Sequence, residues 1–390
     1  MSRDQTSLAA PHPATARLSR SDQGILGGAT VGVVLAGLTR YVDLGAVTAF
    51  GCSAVAVALL AALVARSVDQ LGDRFGPGAT GVLQSALGNL PELFIGIFAL
   101  RAGLTGVVQA AIIGSILGNA LLVLGLAFVV GGLRHGVQQF DSARARSTCV
   151  LMVLAVSAMV VPSLANYVHT PAAAHEGTLS IIVSVVLLLV FALSLPAALR
   201  LPTEDSAAPE PAPAPEPEPA PEPAPAPAPG GETQSAPRWP LWLAIAVLAG
   251  SSVVAAVTSD WFVTALTPAI GTLHISQAFA GLVVVAIASN AVENVVGIQL
   301  AARNQADYAL SVIVNSPLQI ALVLAPALVL LSHIVGGAVL TLVFAPMLVA
   351  AVALAILTVT VAIVDGSSDW LEGAALIGLY GVIAASFWWG

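Results

Sequence analysis

Two glutamates lie where an acid is costly. Glu92 closes the run Gly88-Asn89-Leu90-Pro91-Glu92 and Glu293 closes Ser289-Asn290-Ala291-Val292-Glu293, each deep inside an apolar stretch. A charge near the centre of a bilayer costs on the order of 3 kcal/mol on insertion scales, so each carboxylate needs a compensating partner. Asn89 and Asn290 precede their glutamates by three residues, which puts amide and acid on one helical face. Further oxygens follow in Gly114-Ser115-Ile116-Leu117-Gly118-Asn119 and in Asn315-Ser316-Pro317-Leu318-Gln319. Ser115 shares a face with Asn119, and Ser316 with Gln319. Pro91 has no amide hydrogen to offer the carbonyl of Leu87, nor Pro317 that of Ile313, so two backbone oxygens are expected to be loosened. Carboxylates, amides, hydroxyls and carbonyls form an all-oxygen set of the kind a hard cation such as calcium takes, at about 6 to 8 ligands. The candidate metal ligands are thus Glu92, Glu293, Asn89, Asn290, Ser115, Ser316, Asn119 and Gln319, with the carbonyls of Leu87 and Ile313. No Cys or His joins them, which disfavours zinc and copper.

Charge balance turns such a set into a coupling device. Two glutamates are neutralised by one divalent cation or by two protons, while the empty dianion is costly to bury, so only loaded states should cross. The protons then belong to the pair rather than to either residue. A single intramembrane glutamate could merely tie helices together, and Ser115, Ser316, Asn119 and Gln319 could do the same. Two acids at related positions argue for more. Glu92 to Ser115 and Glu293 to Ser316 are both 23 residues, and one offset of 201 superposes both landmarks.

The elements that must hold these residues follow from composition. Of 390 residues 57% are hydrophobic and 9% charged, too few charges for an ordinary water-soluble domain. Apolar runs long enough to cross a bilayer as helices recur along the chain. Eleven spans are expected, near 24–39, 45–65, 78–100, 104–132, 148–168, 177–199, 240–258, 276–302, 307–332, 338–364 and 371–389. With the N-terminus inside, eleven arginines fall on the cytoplasmic side and only Arg40 and Arg101 outside, a strong positive-inside bias. No lysine is present and no basic patch points to nucleic acid. The expected fold is an all-α membrane protein of about 11 transmembrane helices. Residues 1–23 form a cytoplasmic tail, 24–40 an extra first span, 45–200 a first five-helix repeat, 201–238 a Pro/Glu/Ala-rich acidic linker and 239–390 a second five-helix repeat. Five spans is an odd number, so the second repeat enters the bilayer from the opposite face, the inverted arrangement of transporters that expose a midplane site alternately to each side. The linker should be an extended, polyproline-like spacer of up to roughly 100 Å.

At these residues the chain resembles the calcium/proton exchanger family of the cation/calcium antiporter superfamily. The first motif spans Gly88 to Gly132, with Ile97-Phe98-Ala99-Leu100-Arg101-Ala102-Gly103-Leu104 between its two parts. The second runs through Ser289–Glu293 and Ser316-Pro317-Leu318-Gln319-Ile320-Ala321. The resemblance implies an eleven-span fold with a seemingly dispensable first span, calcium bound at Glu92 and Glu293, and export of calcium from the cytosol at the expense of a proton gradient. Three positions depart from the family pattern. Asn294 stands where a His is usual, Asn315-Ser316 where Gly-Ser is usual, and Arg66 in a stretch where the family carries acids. Arg66 is read as an anchor for the cytoplasmic end of its span, and Asp69 as retaining part of the acidic role.

The expected function is secondary active antiport, calcium for protons, with the lipid bilayer as surroundings and no cofactor. A sodium-coupled exchanger on the same scaffold and a passive cation channel are the alternatives. An enzyme is not expected, because the spans hold no Ser/His, Asp/Asp or His-cluster machinery. Asp73, Asp141, Asp307, Asp365, Asp369 and Glu372 read as solvated charges in cytoplasmic connections, and His169, His175, His274 and His333 as outer-end residues. Cys52 and Cys149 read as small hydrophobes. Without a secretory signal, and rich in Arg and Ala, the chain reads as a bacterial inner-membrane protein.

Overall fold

The computed structural model describes residues 18–42, 44–75, 83–84, 87–200 and 239–389, without the side chains of 73, 75, 196–200, 292 and 293. The N-terminal tail to residue 17, the linker 201–238 and the side chain of Glu293 therefore lie outside the described residues. Twelve helices are described: α1 Arg20–Tyr41, α2 Ala46–Phe75, α3 Leu90–Arg101, α4 Thr105–His135, α5 Ser142–Tyr167, α6 Glu176–Arg200, α7 Leu241–Leu273, α8 Gln277–Ser289, α9 Ala291–Ala302, α10 Ala306–Val335, α11 Pro346–Ile363 and α12 Trp370–Ser386. Eight of them are long and apolar enough to cross a membrane, and the bent pair α8 and α9 together makes a ninth. At 1.5 Å per residue, the 12 residues of α3 reach only about 18 Å, short of a bilayer core.

The helices wrap one another by burial. Helices α4 and α10 sit innermost: 78% and 61% of their most apolar windows are buried, against 22% for α1, α6 and α7. The large core gathers Ile113, Ile116, Leu117 and Leu121 of α4 with Leu282 of α8 and Leu324 of α10. Outward faces stay apolar, as at Leu154, Leu193 and Val361, because lipid rather than water is the solvent there.

Two chain breaks replace the straight spans expected at 78–100 and 276–302. Asn89 (φ −90°, ψ 13°) and Asn290 (φ −99°, ψ 9°) take nearly the same non-helical conformation, and α8 and α9 meet at 62°. Pro91 thus sits in the first turn of α3, where no helical hydrogen bond is lost. This corrects the expectation for Leu87: its carbonyl precedes a break in the chain, not a proline inside a continuous helix. Pro317, in contrast, is inside α10 and removes the amide that Ile313 would have used. Wide π-helical turns begin at the end of the second part of each motif, Gly118–Val123 in α4 and Ile320–Leu324 in α10.

The span expected at 338–364 is helical only from Pro346. Gly336 and Gly337 have φ of 78° and 102°, which ends α10, and a Cβ on Gly337 would come within 2.7 Å of the Arg101 backbone. The extended stretch that follows is buried at Leu340, Leu342 and Phe344, and side chains satisfy its backbone groups. Gln109 donates to the carbonyls of Thr341 (3.1 Å) and Val343 (2.9 Å), Ser163 donates to Leu342 O (2.9 Å), and the hydroxyls of Ser180 and Ser163 accept from Leu342 N (3.0 Å) and Phe344 N (2.9 Å). Helices α2 and α7 run past the expected ends at 65 and 258, to Phe75 and Leu273. A two-residue antiparallel pairing, β1 Gln138–Gln139 with β2 Ser367–Ser368, ties the connection after α4 to that before α12.

Several acids read as solvated charge are structural. Asp141 caps α5, accepting from Ala143 N (2.9 Å) and Arg144 N (3.3 Å), and Asp369 with Glu372 forms a capping box on α12. His169 and His274 end helices in left-handed conformation, both with φ 54°.

Candidate functional site

The break at Asn290 brings α8 and α9 against α3, α4 and α10. Close approach requires glycine: a Cβ on Gly114 would lie 2.2 Å from the carbonyl oxygen of Leu282, and one on Gly281 would lie 2.4 Å from that of Val107. Backbone against backbone, α4 and α8 set Ser115 beside Ser289 and Asn290. Gly96 of α3 similarly admits Leu328 of α10, and Gly297 of α9 admits Ile313.

Glu92 is at the centre, 8% exposed. Its Oε1 accepts three hydrogen bonds, from Ser115 Oγ (2.9 Å), Ser289 Oγ (2.7 Å) and Asn290 Nδ2 (2.5 Å). Its Oε2 is buried with no hydrogen-bond partner among the described residues. The two oxygens thus differ: one is saturated by donors, the other has none among the described residues. Glu92 also lines a cavity together with Ile95, Ala99, Val107, Val108 and Leu328.

Asn119 ties the halves together. Its Nδ2 donates to Ser115 O (3.0 Å), Ser316 Oγ (3.2 Å) and Asn290 Oδ1 (3.3 Å), while its Oδ1 is buried without a partner among the described residues. Asn89 Nδ2 reaches Gln319 Oε1 at 3.4 Å. Of the residues expected to converge, Glu92, Asn290, Ser115, Ser316 and Asn119 therefore form one network, with Asn89 and Gln319 paired beside it. Ile313 is buried against Gly297.

Sequence reasoning left Ser289 out of the ligand set although it makes a close contact to Glu92. Its repeat counterpart, 201 residues earlier, is Gly88, which has no side chain, so the repeat logic passed over it. The signal available was its place next to Asn290 in an apolar run. Asn294, where the resembled family has His, carries a buried Oδ1 with no partner among the described residues. No group of three or more His, Cys, Asp or Glu that could hold a metal ion occurs among the described residues. Oxygen donors here are mainly amides and hydroxyls.

Fold and site define a multi-pass helical membrane protein whose buried acid lies where bent helices from both ends of the chain meet. The chain belongs to the sodium/calcium exchanger protein family, which matches residues 45–199 and 243–389. Among its relatives, the Ca(2+)/H(+) antiporter of Synechocystis sp. is 33% identical over 89% of this chain and 92% of its own. The Ca(2+)/H(+) antiporter ChaA of Bacillus subtilis is also 33% identical, over 87% and 91%. The solved structure of native YfkE superposes with a TM-score of 0.75 at 29% identity, covering 93% of this chain and 99% of that one.

Proposed function

We propose that this protein exchanges calcium for protons across a membrane by alternating access, with Glu92 and Glu293 binding either two protons or one calcium ion. One observation carries the reading: a buried glutamate with one oxygen held by three donors and the other without a partner among the described residues, inside a network of neutral oxygen ligands. Its unpartnered oxygen requires a proton or a cation, and that is the competition on which antiport depends. The relatives named as calcium/proton antiporters, matched over most of their length, support the same choice of ions.

In this reading Asn89, Asn290, Ser115, Ser316, Asn119, Gln319 and the carbonyl of Ile313 complete the coordination sphere as the conformation changes. Ser289 joins them. Glu293, one offset of 201 from Glu92, supplies the second carboxylate. The chain crosses the membrane eleven times, as one extra span and two inverted five-span repeats. The similar conformations of Asn89 and Asn290 support that symmetry. The arginine distribution supports a cytoplasmic N-terminus, and the Arg- and Ala-rich composition supports a bacterial inner membrane.

The test is calcium flux into proteoliposomes under an imposed pH gradient, with sodium and potassium controls. Proton-driven uptake is expected in the parent and its loss in Glu92→Gln and in Glu293→Gln. Undiminished flux in Glu92→Gln would sink the mechanism, a requirement for sodium would change the coupling ion, and gradient-independent leakage would mean a channel.

A further inference from the structure

Helix α10 carries Asp307, Ser311, Asn315 and Gln319 at intervals of four, a line along one face. The first three are exposed and Gln319 is 5% exposed. Two cavities follow this line. The outer is a cleft of about 1350 Å³, open mouth included, between α5, α6 and α10. Eight of its fourteen lining residues are polar, including Asp141, Arg144 and Asp307. The inner cavity, about 390 Å³ with its opening included, shares Ser311 and Asn315 with the cleft and is lined further in by Gln84, Val312, Ser316 and Gln319. A polar track thus leads from the surface to the oxygen network around Glu92.

The corresponding line in α4, 201 residues earlier, is Gly106, Ala110, Gly114 and Gly118. There the track is shut. Ala110 is fully buried, and the bare backbone of Gly114 lets α8 pack directly on α4. Where the first half has a glycine that seals, the second has a carboxamide at the neck of an open passage.

We propose that Asn315 is a selectivity residue at the neck of this passage, its side-chain oxygen replacing a water of the incoming ion before Ser316 and Gln319 take it. The proposal rests on the calcium-transport reading above. Calcium accepts a variable set of oxygens, whereas magnesium demands near-octahedral geometry and dehydrates reluctantly, so a neutral oxygen at a narrow neck favours calcium. Asp307 is a weaker contributor: its carboxylate already accepts from Asp141 N at 2.6 Å, and Arg144 shares the cleft.

The experiment compares the parent with Asn315→Gly in proteoliposomes, measuring proton-driven calcium uptake with and without magnesium. Absence of uptake by the parent would overturn the transport reading itself. With an active parent, Asn315→Gly is expected to raise the calcium KM about fivefold, leave the maximal rate within about twofold and make magnesium a stronger competitor. An unchanged KM with unchanged magnesium competition overturns the role of Asn315. A second measurement does not depend on activity. In a Cys52→Ser, Cys149→Ser background, Ser311→Cys and Asn315→Cys should react with a membrane-impermeant thiol reagent added from one side, with calcium slowing the reaction at Asn315→Cys. Ala110→Cys should stay unreactive. An unreactive Asn315→Cys, or labelling indifferent to calcium, overturns the proposal.

Discussion

At the scale of the residue, the two oxygens of Glu92 have separate tasks. Ser115, Ser289 and Asn290 anchor Oε1 from two different segments, so the carboxylate is oriented before any ion arrives. Hydrogen bonds to a charged acceptor contribute about 1.5–3 kcal/mol each, and Ser289→Ala removes one of the three. We expect that variant to lose roughly tenfold in calcium transport efficiency, the lower end of that range. Ser163→Ala is the control. Ser163 is buried and hydrogen-bonded to the extended stretch before α11, far along the chain from Glu92, so its loss should lower the unfolding temperature and leave the calcium KM unchanged. Equal transport defects in both variants would mean that Ser289 acts only on stability.

At the scale of the element, the site depends on helices that touch through their backbones. Gly114 is the sharpest case, because any Cβ there would overlap the carbonyl and Cα of Leu282 at 2.2 and 2.5 Å. Gly114→Ala should push α8 away from α4, cost about 1–3 kcal/mol of stability and disturb the contacts of Ser289 and Asn290 with Glu92. Gly106→Ala, about two turns away on the same helix and with open space at its Cβ, should be neutral. Thermal unfolding of both variants in detergent, followed by the calcium KM of each, checks this. A neutral Gly114→Ala would show that α8 has freedom to shift.

At the scale of the whole molecule, the first helix and the start of the second half are latched to α2. Buried Asp22 accepts from Arg66 Nε (2.9 Å) and from Trp239 Nε1 (3.0 Å), Trp239 N donates to Gln70 Oε1 (3.0 Å), and Arg74 donates to the Trp239 carbonyl. Arg66, the departure from the resembled family's acidic stretch, therefore binds α1 to α2 beside the segment that follows the linker. Arg66→Ala leaves Asp22 buried with one fewer donor and should cost about 1–3 kcal/mol. The loss is expected as a lower unfolding temperature together with a change in tryptophan emission, since Trp239 shares the carboxylate. An unchanged emission spectrum would mean that the latch holds without Arg66.

The sequence by itself determined the class of protein and the chemistry at its centre. Hydropathy sets the lipid-facing surface wherever a backbone must satisfy itself; the offset of 201 picked out Glu92, Asn290, Ser115 and Ser316, and the four-residue helical spacing from Ser115 added Asn119, and these side chains do meet. Three things waited for the tertiary structure. The breaks at Asn89 and Asn290 turn on a local backbone conformation that an apolar run does not announce. The extended start of the 338–364 stretch is held by Gln109, Ser163 and Ser180, residues more than 150 positions away whose partners no local pattern reveals. The inequality of the two halves, Gly114 sealed against α8 and Asn315 open to a cleft, depends on which helix packs where, and that is decided by contacts across the whole fold rather than by either motif alone.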